Sequence, residues 1–131
     1  MPIDRITWLC LRDGELLTAR TKGKTAWLLP GGKREAGETD LQTLVREIRE
    51  ELSVDILPDT ARLYGVFEGP ASGKPEGTTV RLSCYTAEYS GTLAPASEIG
   101  AIRWLRYRDI GLAPEADVQI YEDLHAKGLL L

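Results

Sequence analysis

The sequence predicts an α/β fold, because runs of β-forming residues alternate along the chain with two segments of helical periodicity. The first helical segment repeats apolar residues at the i, i+3, i+4, i+7 and i+11 spacing of an amphipathic helix. These apolar residues are Leu41, Leu44, Val45, Ile48 and Leu52. No internal repeat, linker or low-complexity segment interrupts the pattern. Residues 1–131 are therefore predicted to form a single domain with its own core.

The chain opens with two β-rich runs, residues 3–12 and 15–20. Asp13-Gly14 joins them, and this dipeptide between apolar runs is a strong signal for a β-hairpin. A short apolar run follows at residues 26–29 and stops at Pro30-Gly31-Gly32. Proline and glycine together end regular structure, and a loop is expected between this point and the first helix.

The first helix is predicted to begin at Thr39, because residues 39–42 form a capping-box sequence with Asp40 in the first turn. Further strands are expected at residues 62–68, 80–89 and 101–105, with a Gly/Pro-rich loop at 69–77 and a last helix at 114–126. Gly128 follows that helix, as is typical of a helix end.

Three glutamates, Glu47, Glu50 and Glu51, lie on the first helix beside its apolar stripe. At about 100° per residue they share an arc of about 100°. Like charges at these spacings cost roughly 0.2–0.5 kcal/mol per pair, and Arg46 and Arg49 relieve only part of this cost. A solvated acidic face is the simpler interpretation, but it leaves the repulsion unexplained. A bound Mg²⁺, which prefers carboxylate oxygens, would supply the missing charge.

Composition restricts the class of protein. The formal net charge is −4, which argues against binding along a nucleic-acid polymer, because such proteins usually carry a basic face. No apolar run approaches the ~20 residues of a membrane span, and no N-terminal leader is recognisable. Cys10 and Cys84 are far apart, each in an apolar run, and are expected to be reduced and buried. We therefore expect a cytoplasmic protein.

Residues 32–54 resemble the signature of the Nudix hydrolases, G-x5-E-x7-R-E-U-x-E-E-x-G-U, in which U is a bulky aliphatic residue. The matching residues are Gly32, Glu38, Arg46, Glu47, Ile48, Glu50, Glu51 and Val54. Ser53 stands where the family has glycine, which is expected to shift the helix C-terminus slightly. Weaker similarity at residues 29–33 and 98–104 extends the resemblance over nearly the whole chain. It implies a Nudix-type α/β/α sandwich with a mixed β-sheet between helices.

The resemblance also implies a reaction and a metal. Nudix hydrolases cleave the phosphoanhydride of a nucleoside diphosphate linked to another group, using Mg²⁺, for which Mn²⁺ can substitute. The implied metal ligands are the Gly31 carbonyl and four carboxylates, those of Glu47, Glu50, Glu51 and Glu98. The implied catalytic residues are Glu47, Glu98 and Arg46: family members use either the helix glutamate or the loop glutamate as the base. Arg46 and Glu38 are expected to orient the site.

Substrate contacts follow from the same resemblance. Arg20 and Lys33 match basic positions that touch phosphates in nucleotide-cleaving relatives. Trp27 could stack on a nucleobase. Glu115 and Asp117 fall in a region that contacts the nucleobase in relatives that cleanse oxidised guanine nucleotides. Each has a structural alternative: solvated surface charge for the basic residues, core packing for Trp27, and favourable charge at a helix N-terminus for the acids.

The signature leaves the substrate open. The short chain favours a small-molecule substrate, namely a nucleoside triphosphate, which can carry an oxidised or non-standard base. The expected products are a nucleoside monophosphate and pyrophosphate. The alternatives are an ADP-ribose or nucleotide-sugar pyrophosphatase and a non-catalytic Nudix-fold module that only binds nucleotides. The oligomeric state is not readable from the sequence, which is compatible with a homodimer.

Overall fold

The structure is a computed structural model that describes residues 1–131. Nine strands and two α-helices follow the predicted alternation. The strands are β1 Ile3–Trp8, β2 Leu11–Arg12, β3 Glu15–Thr21, β4 Gly31–Gly32, β5 Asp55–Ile56, β6 Arg62–Pro70, β7 Thr79–Thr86, β8 Tyr89–Ser90 and β9 Ile99–Leu105. The helices are α1 Asp40–Leu52 and α2 Val118–Ala126, and 3₁₀ segments lie at Pro58–Thr60, Tyr107–Leu112 and Glu115–Asp117. None of the helices has the length and apolar character needed to span a membrane.

The strands form a mixed sheet and two antiparallel ones, which confirms the predicted α/β class. The mixed sheet has the order β4-β1-β7-β6, with β1 parallel to β7 and the other pairs antiparallel. A second sheet has the order β2-β3-β9, and β5 pairs with β8. The predicted hairpin joins β2 to β3. Asp13 and Gly14 have φ of 53° and 76°, the positive values that a two-residue type I′ turn requires.

Two hydrophobic clusters make up the core, and strand β3 contributes to both. Leu16 belongs to the cluster that includes Ile120 and Leu124 of α2. Leu17 belongs to the cluster that includes Leu44 and Ile48 of α1. Since neighbouring residues of a strand face opposite sides of its sheet, the two helices pack on opposite faces. This is the layered arrangement that the sequence predicts.

Helix α1 has the predicted start. The Thr39 hydroxyl accepts a hydrogen bond from the Gln42 amide at 3.2 Å, and the Gln42 side chain accepts one from the Thr39 amide at 2.9 Å. At its end, Ser53 itself takes the left-handed conformation, with φ of 65°. Its N–H donates to the Arg49 carbonyl, and its hydroxyl donates to the Ala94 carbonyl at 3.1 Å. Serine therefore supplies, at this helix end, the positive φ for which glycine is usually preferred.

Several segments differ from the sequence-based expectation. The β-rich run at residues 3–12 is divided into β1 and β2, which belong to different sheets, and Gly31–Gly32 form the short strand β4. Residues 26–29 form only an isolated bridge, between Leu28 and Ala19, because Pro30 has no N–H to extend a ladder. The strand predicted at 80–89 breaks after Thr86. The last helix starts with a 3₁₀ turn at Glu115–Asp117 before α2 begins.

The left-handed Ser53 generates a stability prediction. Ser53→Ala loses the hydroxyl bond to Ala94 and keeps the backbone strain, so its free energy of unfolding should fall by about 1 kcal/mol. Ser53→Gly loses the same bond but relieves strain worth about 1 kcal/mol or more. We expect it to match the wild type and to exceed Ser53→Ala in denaturant titrations. A Gly variant less stable than the Ala variant would contradict this account.

Candidate active site

The backbone of residues 29–32 approaches strand β1 and helix α1 closely, and glycine makes this approach sterically feasible. Gly31 has φ of 144°, and a Cβ there would collide with the carbonyl of Ile6. A Cβ on Gly32 would collide with the Glu47 carboxylate. The Pro30 carbonyl accepts a hydrogen bond from the Trp8 amide at 2.9 Å. The two glycines thus bring main chain directly against the acidic face of α1.

A cavity of about 340 Å³ lies between this loop, α1 and strand β3. Its walls include seven of the residues that the sequence singled out or that belong to the signature. These are Gly31, Gly32, Lys33, Arg46, Glu47, Glu51 and Glu98. Residues far apart in the chain, such as Lys33 and Glu98, therefore share one cavity.

Glu51 is the most deeply placed of these carboxylates, with only 6% of its surface exposed. It accepts a hydrogen bond from the Gly31 amide at 3.2 Å. Burial raises the pKa of Glu51 to about 8; the Gly31 bond and the charge of Arg5 oppose this rise, and the neighbouring Glu47 and Glu98 add to it. A cation beside this carboxylate would favour its ionised form.

Arg46 ties the loop to the helix. Its Nε donates to Glu38 at 2.7 Å, its Nη1 donates to Glu47 at 2.6 Å, and its Nη2 donates to the Lys33 carbonyl at 3.1 Å. The Arg46 hydrogen bond lowers the pKa of Glu38 to about 2, helped by bonds from the Glu35 amide and the Thr43 hydroxyl. Glu38 is thus held ionised, and Arg46 is fixed in place beside Glu47.

A second cavity of about 560 Å³ adjoins the first. The two share the wall residues Arg5, Thr21, Leu28, Leu29 and Lys33. They therefore adjoin across these residues, and we call the pair the cleft. Its acidic end lies at the α1 glutamates, and its larger end is formed mostly by other elements.

Asp117 lies in the wall of the larger cavity and is 5% exposed. Burial raises the pKa of Asp117 to about 6, opposed by the charge of Arg5 and by the Leu29 amide. A buried acid in a cavity wall is a ready acceptor for a ligand N–H group.

Three predicted substrate-binding residues lie outside both cavities. Successive side chains of β3 face opposite sides of its sheet. Ala19 and Thr21 line the first cavity, so Arg20, which lies between them, points away from it. Its guanidinium instead lies 4.9 Å from the ring centroid of Trp27. Trp27 is 8% exposed within the hydrophobic core, which is the structural alternative stated for it above. Glu115 also lines neither cavity.

Glu50 differs from the other predicted metal ligands. Its side chain is 52% exposed, lies 3.5 Å from Arg46 and is not in the cavity wall. More generally, no three Asp, Glu, His or Cys side chains are arranged so that they could hold a metal ion together. The donor chemistry suits a hard cation all the same, since Glu47, Glu51 and Glu98 line one cavity and Glu51 is buried with a single hydrogen-bond donor, the Gly31 amide.

Sequence reasoning missed Arg5, which lines both cavities. The signal was present in the alternation of β1. Ile6 and Trp8 are apolar and face the α1 core, so Arg5 and Thr7 must face the opposite side. A charged residue at such an inward position is unusual.

Comparisons with known proteins agree with this geometry. A family model described as NUDIX domain matches residues 3–126. The chain is 30% identical over 117 residues to the Uncharacterized Nudix hydrolase YvcI of Bacillus subtilis, covering 87% of this chain and 73% of that protein. It is 30% identical over 115 residues to the RNA pyrophosphohydrolase of Edwardsiella ictaluri, covering 76% of this chain. The chain spans 65% of the length of that relative, less than two thirds.

A solved structure shows the same fold. The crystal structure of MutT NUDIX hydrolase from Burkholderia pseudomallei superposes with a TM-score of 0.72 at 23% identity, covering 94% of this chain and 97% of that one. The shared fold confirms the predicted α/β architecture, and the match over residues 3–126 confirms the resemblance carried by residues 32–54. The chain therefore belongs to the NUDIX domain family.

Proposed function

We propose that this Nudix hydrolase is a Mg²⁺-dependent nucleoside triphosphate pyrophosphohydrolase that releases a nucleoside monophosphate and pyrophosphate, with Mn²⁺ able to replace Mg²⁺. The observation that supports this best is the pair of adjoining cavities. One is lined by carboxylates and Lys33, and the larger one combines apolar residues with Asp117, Lys24 and Lys74. The first suits phosphates with their metal, and the second suits a nucleoside.

The proposed metal ligands are the Gly31 carbonyl and the carboxylates of Glu47, Glu50, Glu51 and Glu98. Bound Mg²⁺ would neutralise charge on the phosphate oxygens as the phosphoanhydride breaks. The protein's own contribution is to fix two of these carboxylates in place. Glu51 is fixed by the Gly31 amide, and Glu47 is fixed by Arg46.

The other residues of the cleft have separate tasks. Lys33 lines both cavities and is placed to bind phosphate oxygens. Arg46, held by Glu38, positions Glu47. Either Glu47 or Glu98 takes the proton from the attacking water. Asp117 accepts a hydrogen bond from the nucleobase of the substrate. Since Arg20, Trp27 and Glu115 lie outside the cleft, we leave them out of the proposed contacts.

Other substrates remain alternatives to a nucleoside triphosphate. ADP-ribose and nucleotide sugars contain the same type of bond, and the name of the Edwardsiella relative adds the 5′-triphosphate end of RNA. A non-catalytic nucleotide-binding module is disfavoured, because all of the signature glutamates are kept. The net charge of −4 favours a small molecule over a polymer. We propose a cytoplasmic location, in keeping with two buried free cysteines.

The proposed function predicts strict dependence on a divalent cation. Purified protein with Mg²⁺ should convert at least one nucleoside triphosphate to monophosphate and pyrophosphate. Excess chelator should abolish turnover, because the proposed reaction needs a bound divalent cation to neutralise charge on the phosphate oxygens. The panel should include oxidised nucleotides, ADP-ribose, nucleotide sugars and a short RNA with a 5′-triphosphate. Tight binding of a nucleotide without any cleavage would instead establish the binding-module alternative.

The close packing of Gly32 against Glu47 predicts a selective loss of activity. Gly32→Ala places a methyl group where the Glu47 carboxylate lies and must displace it. A displacement of about 1 Å can cost about 100-fold in rate, so kcat should fall by that order while the fold persists. Gly111→Ala is the matched control, because nothing lies within 4 Å of a Cβ at Gly111. Equal activity of the two variants would show that the Glu47 position does not matter.

Two substitutions can decide which glutamate is the catalytic general base. General-base removal typically costs about 10²–10⁴ in rate. Glu47→Gln also removes charge beside the proposed metal, so it should be the more damaging change, with Glu98→Gln giving a partial loss. Single-turnover rates at saturating Mg²⁺ compare them directly. A slower Glu98→Gln enzyme with unchanged metal affinity would assign the base to Glu98 and leave Glu47 as a ligand.

A further inference from the structure

Arg34 lies in the loop of residues 33–39, which connects strand β4 to helix α1. Its chain neighbours Lys33 and Glu35 line the first cavity, whereas Arg34 does not. The Arg34 guanidinium instead forms ion pairs with two carboxylates, those of Asp4 on strand β1 and Asp40 at the start of α1. The residues on either side of Arg34 therefore belong to the cavity wall, and Arg34 ties the same stretch of chain to β1 and α1.

The register of β1 and β4 explains why Arg34 meets Asp4. The two strands pair antiparallel, with Ile6 opposite Gly32. The same register, continued past the end of β4, places residue 34 opposite residue 4. Since the backbone ladder ends at Gly32, the ion pair between the two side chains replaces it as the link between the loop and β1.

The two carboxylates that bind Arg34 belong to regular structure. The Tyr85 hydroxyl donates to Asp40 at 2.8 Å and joins that carboxylate to strand β7. Arg81 lies near Asp4, but its Nε is 3.7 Å from the carboxylate, beyond hydrogen-bonding distance. No other hydrogen bond or ion pair joins the loop to β1. Arg34 alone therefore holds the loop against this strand.

The remaining polar contacts of the loop lead to α1 or stay within the loop. Arg46 of α1 donates to the Lys33 carbonyl at 3.1 Å and lies 3.3 Å from the Glu35 carboxylate. The Glu35 amide donates to Glu38 at 2.8 Å. Without Arg34, the loop beyond β4 would be held from the α1 side alone. The position of Lys33 relative to the β1 wall of the cavity would then be less restrained.

We propose that Arg34 is a positioning residue, which binds Asp4 and Asp40 and thereby holds the Lys33 ammonium group where it binds the phosphates of the substrate. This inference rests on the proposed function, which gives Lys33 that task. Arg34 itself touches no substrate, because it does not line either cavity. It acts through Lys33.

A solvated surface ion pair is the simpler interpretation of these contacts. The three side chains are 25% to 35% exposed, and ion pairs at such positions contribute little to stability. The two interpretations differ in substrate affinity. A surface ion pair predicts an unchanged KM when Arg34 is replaced, whereas a positioning residue predicts a raised KM.

The test measures kcat and KM with the preferred nucleoside triphosphate and Mg²⁺. Arg34→Met removes the charge and the donors, and Arg34→Lys keeps the charge without the fork of N–H groups. Lys33→Met and the double variant of Arg34→Met with Lys33→Met complete the set. Arg49→Met is the matched control, because Arg49 forms an exposed ion pair with Asp55 and lines neither cavity. Thermal unfolding of each variant checks the fold.

Loss of two partly exposed ion pairs corresponds to about a threefold to tenfold change in an equilibrium constant. Arg34→Met should raise KM by that factor with kcat nearly unchanged, and Arg34→Lys should be intermediate. In the protein that already carries Lys33→Met, the loss of Arg34 should add nothing. An unchanged KM for Arg34→Met, an equal rise for Arg49→Met, or independent effects in the double variant would overturn the inference. A fall in kcat without a rise in KM would also overturn it, since Arg34 would then act through α1.

Ionic strength gives a second readout. Because the three side chains are partly exposed, added salt screens the ion pairs of Arg34. The ratio of KM between Arg34→Met and the wild type should therefore approach one as the salt concentration rises. A ratio that does not change with salt would show that the ion pairs do not carry the effect.

Failure of the proposed function is distinguishable from failure of this inference. If the wild-type protein hydrolyses no nucleoside triphosphate, the proposed function fails whatever Arg34 does. Calorimetric titration with inorganic pyrophosphate and Mg²⁺ then decides the role of Arg34. Weaker binding to Arg34→Met, with no further loss when Arg34→Met is added to Lys33→Met, supports the inference. Equal binding by the wild type and Arg34→Met, or binding by neither, refutes it.

Discussion

The close contact between the Gly31-Gly32 main chain and helix α1 is the constraint on which the site depends. The Gly31 amide donates to Glu51, and the Gly32 backbone lies where any side chain would meet the Glu47 carboxylate. Arg46 completes the contact by binding the Lys33 carbonyl and Glu38. Main chain, carboxylates and a guanidinium are thereby held within one cavity.

The two hydrophobic clusters make this contact rigid. One packs α1 against strands β1 and β3, and the other packs α2 against the opposite face. Because β3 contributes Leu16 to one cluster and Leu17 to the other, its orientation is fixed from both sides. That orientation in turn decides that Ala19 and Thr21, not Arg20, line the cleft.

The cleft concentrates charge in a way that stability alone would not select. Glu51 and Asp117 are both buried, and burial raises the pKa of each because the ionised form loses water. Arg5 offsets part of this effect for both, while its own Nε stays without a partner. Polar groups in a cavity wall can bind a ligand only if they still have free hydrogen-bonding capacity. Buried groups that the protein leaves without a full set of partners meet this requirement.

Local sequence determined the features that depend on neighbouring residues. The Asp13-Gly14 hairpin, the capping box at Thr39 and the apolar stripe of α1 were all predictable, because turns, caps and amphipathic faces depend on short spacings. The spacing of the glutamates likewise identified the family. Even the Ser53 position was recognisable as a helix end, although the sequence did not show that serine would adopt the left-handed conformation itself.

Tertiary structure decided which side chains line the cavity, because residue spacing along the chain does not contain this information. Glu98 joins the α1 glutamates only through the fold, and Glu50 stays outside the cavity although it belongs to the same signature. Strand alternation turns Arg20 towards Trp27, and core packing removes Trp27 from the cleft. The alternation of β1 shows which face Arg5 lies on, but only the fold shows that this face borders the cleft. The physical reason is that the side on which a strand residue emerges, and what it meets there, depend on the packing of distant elements.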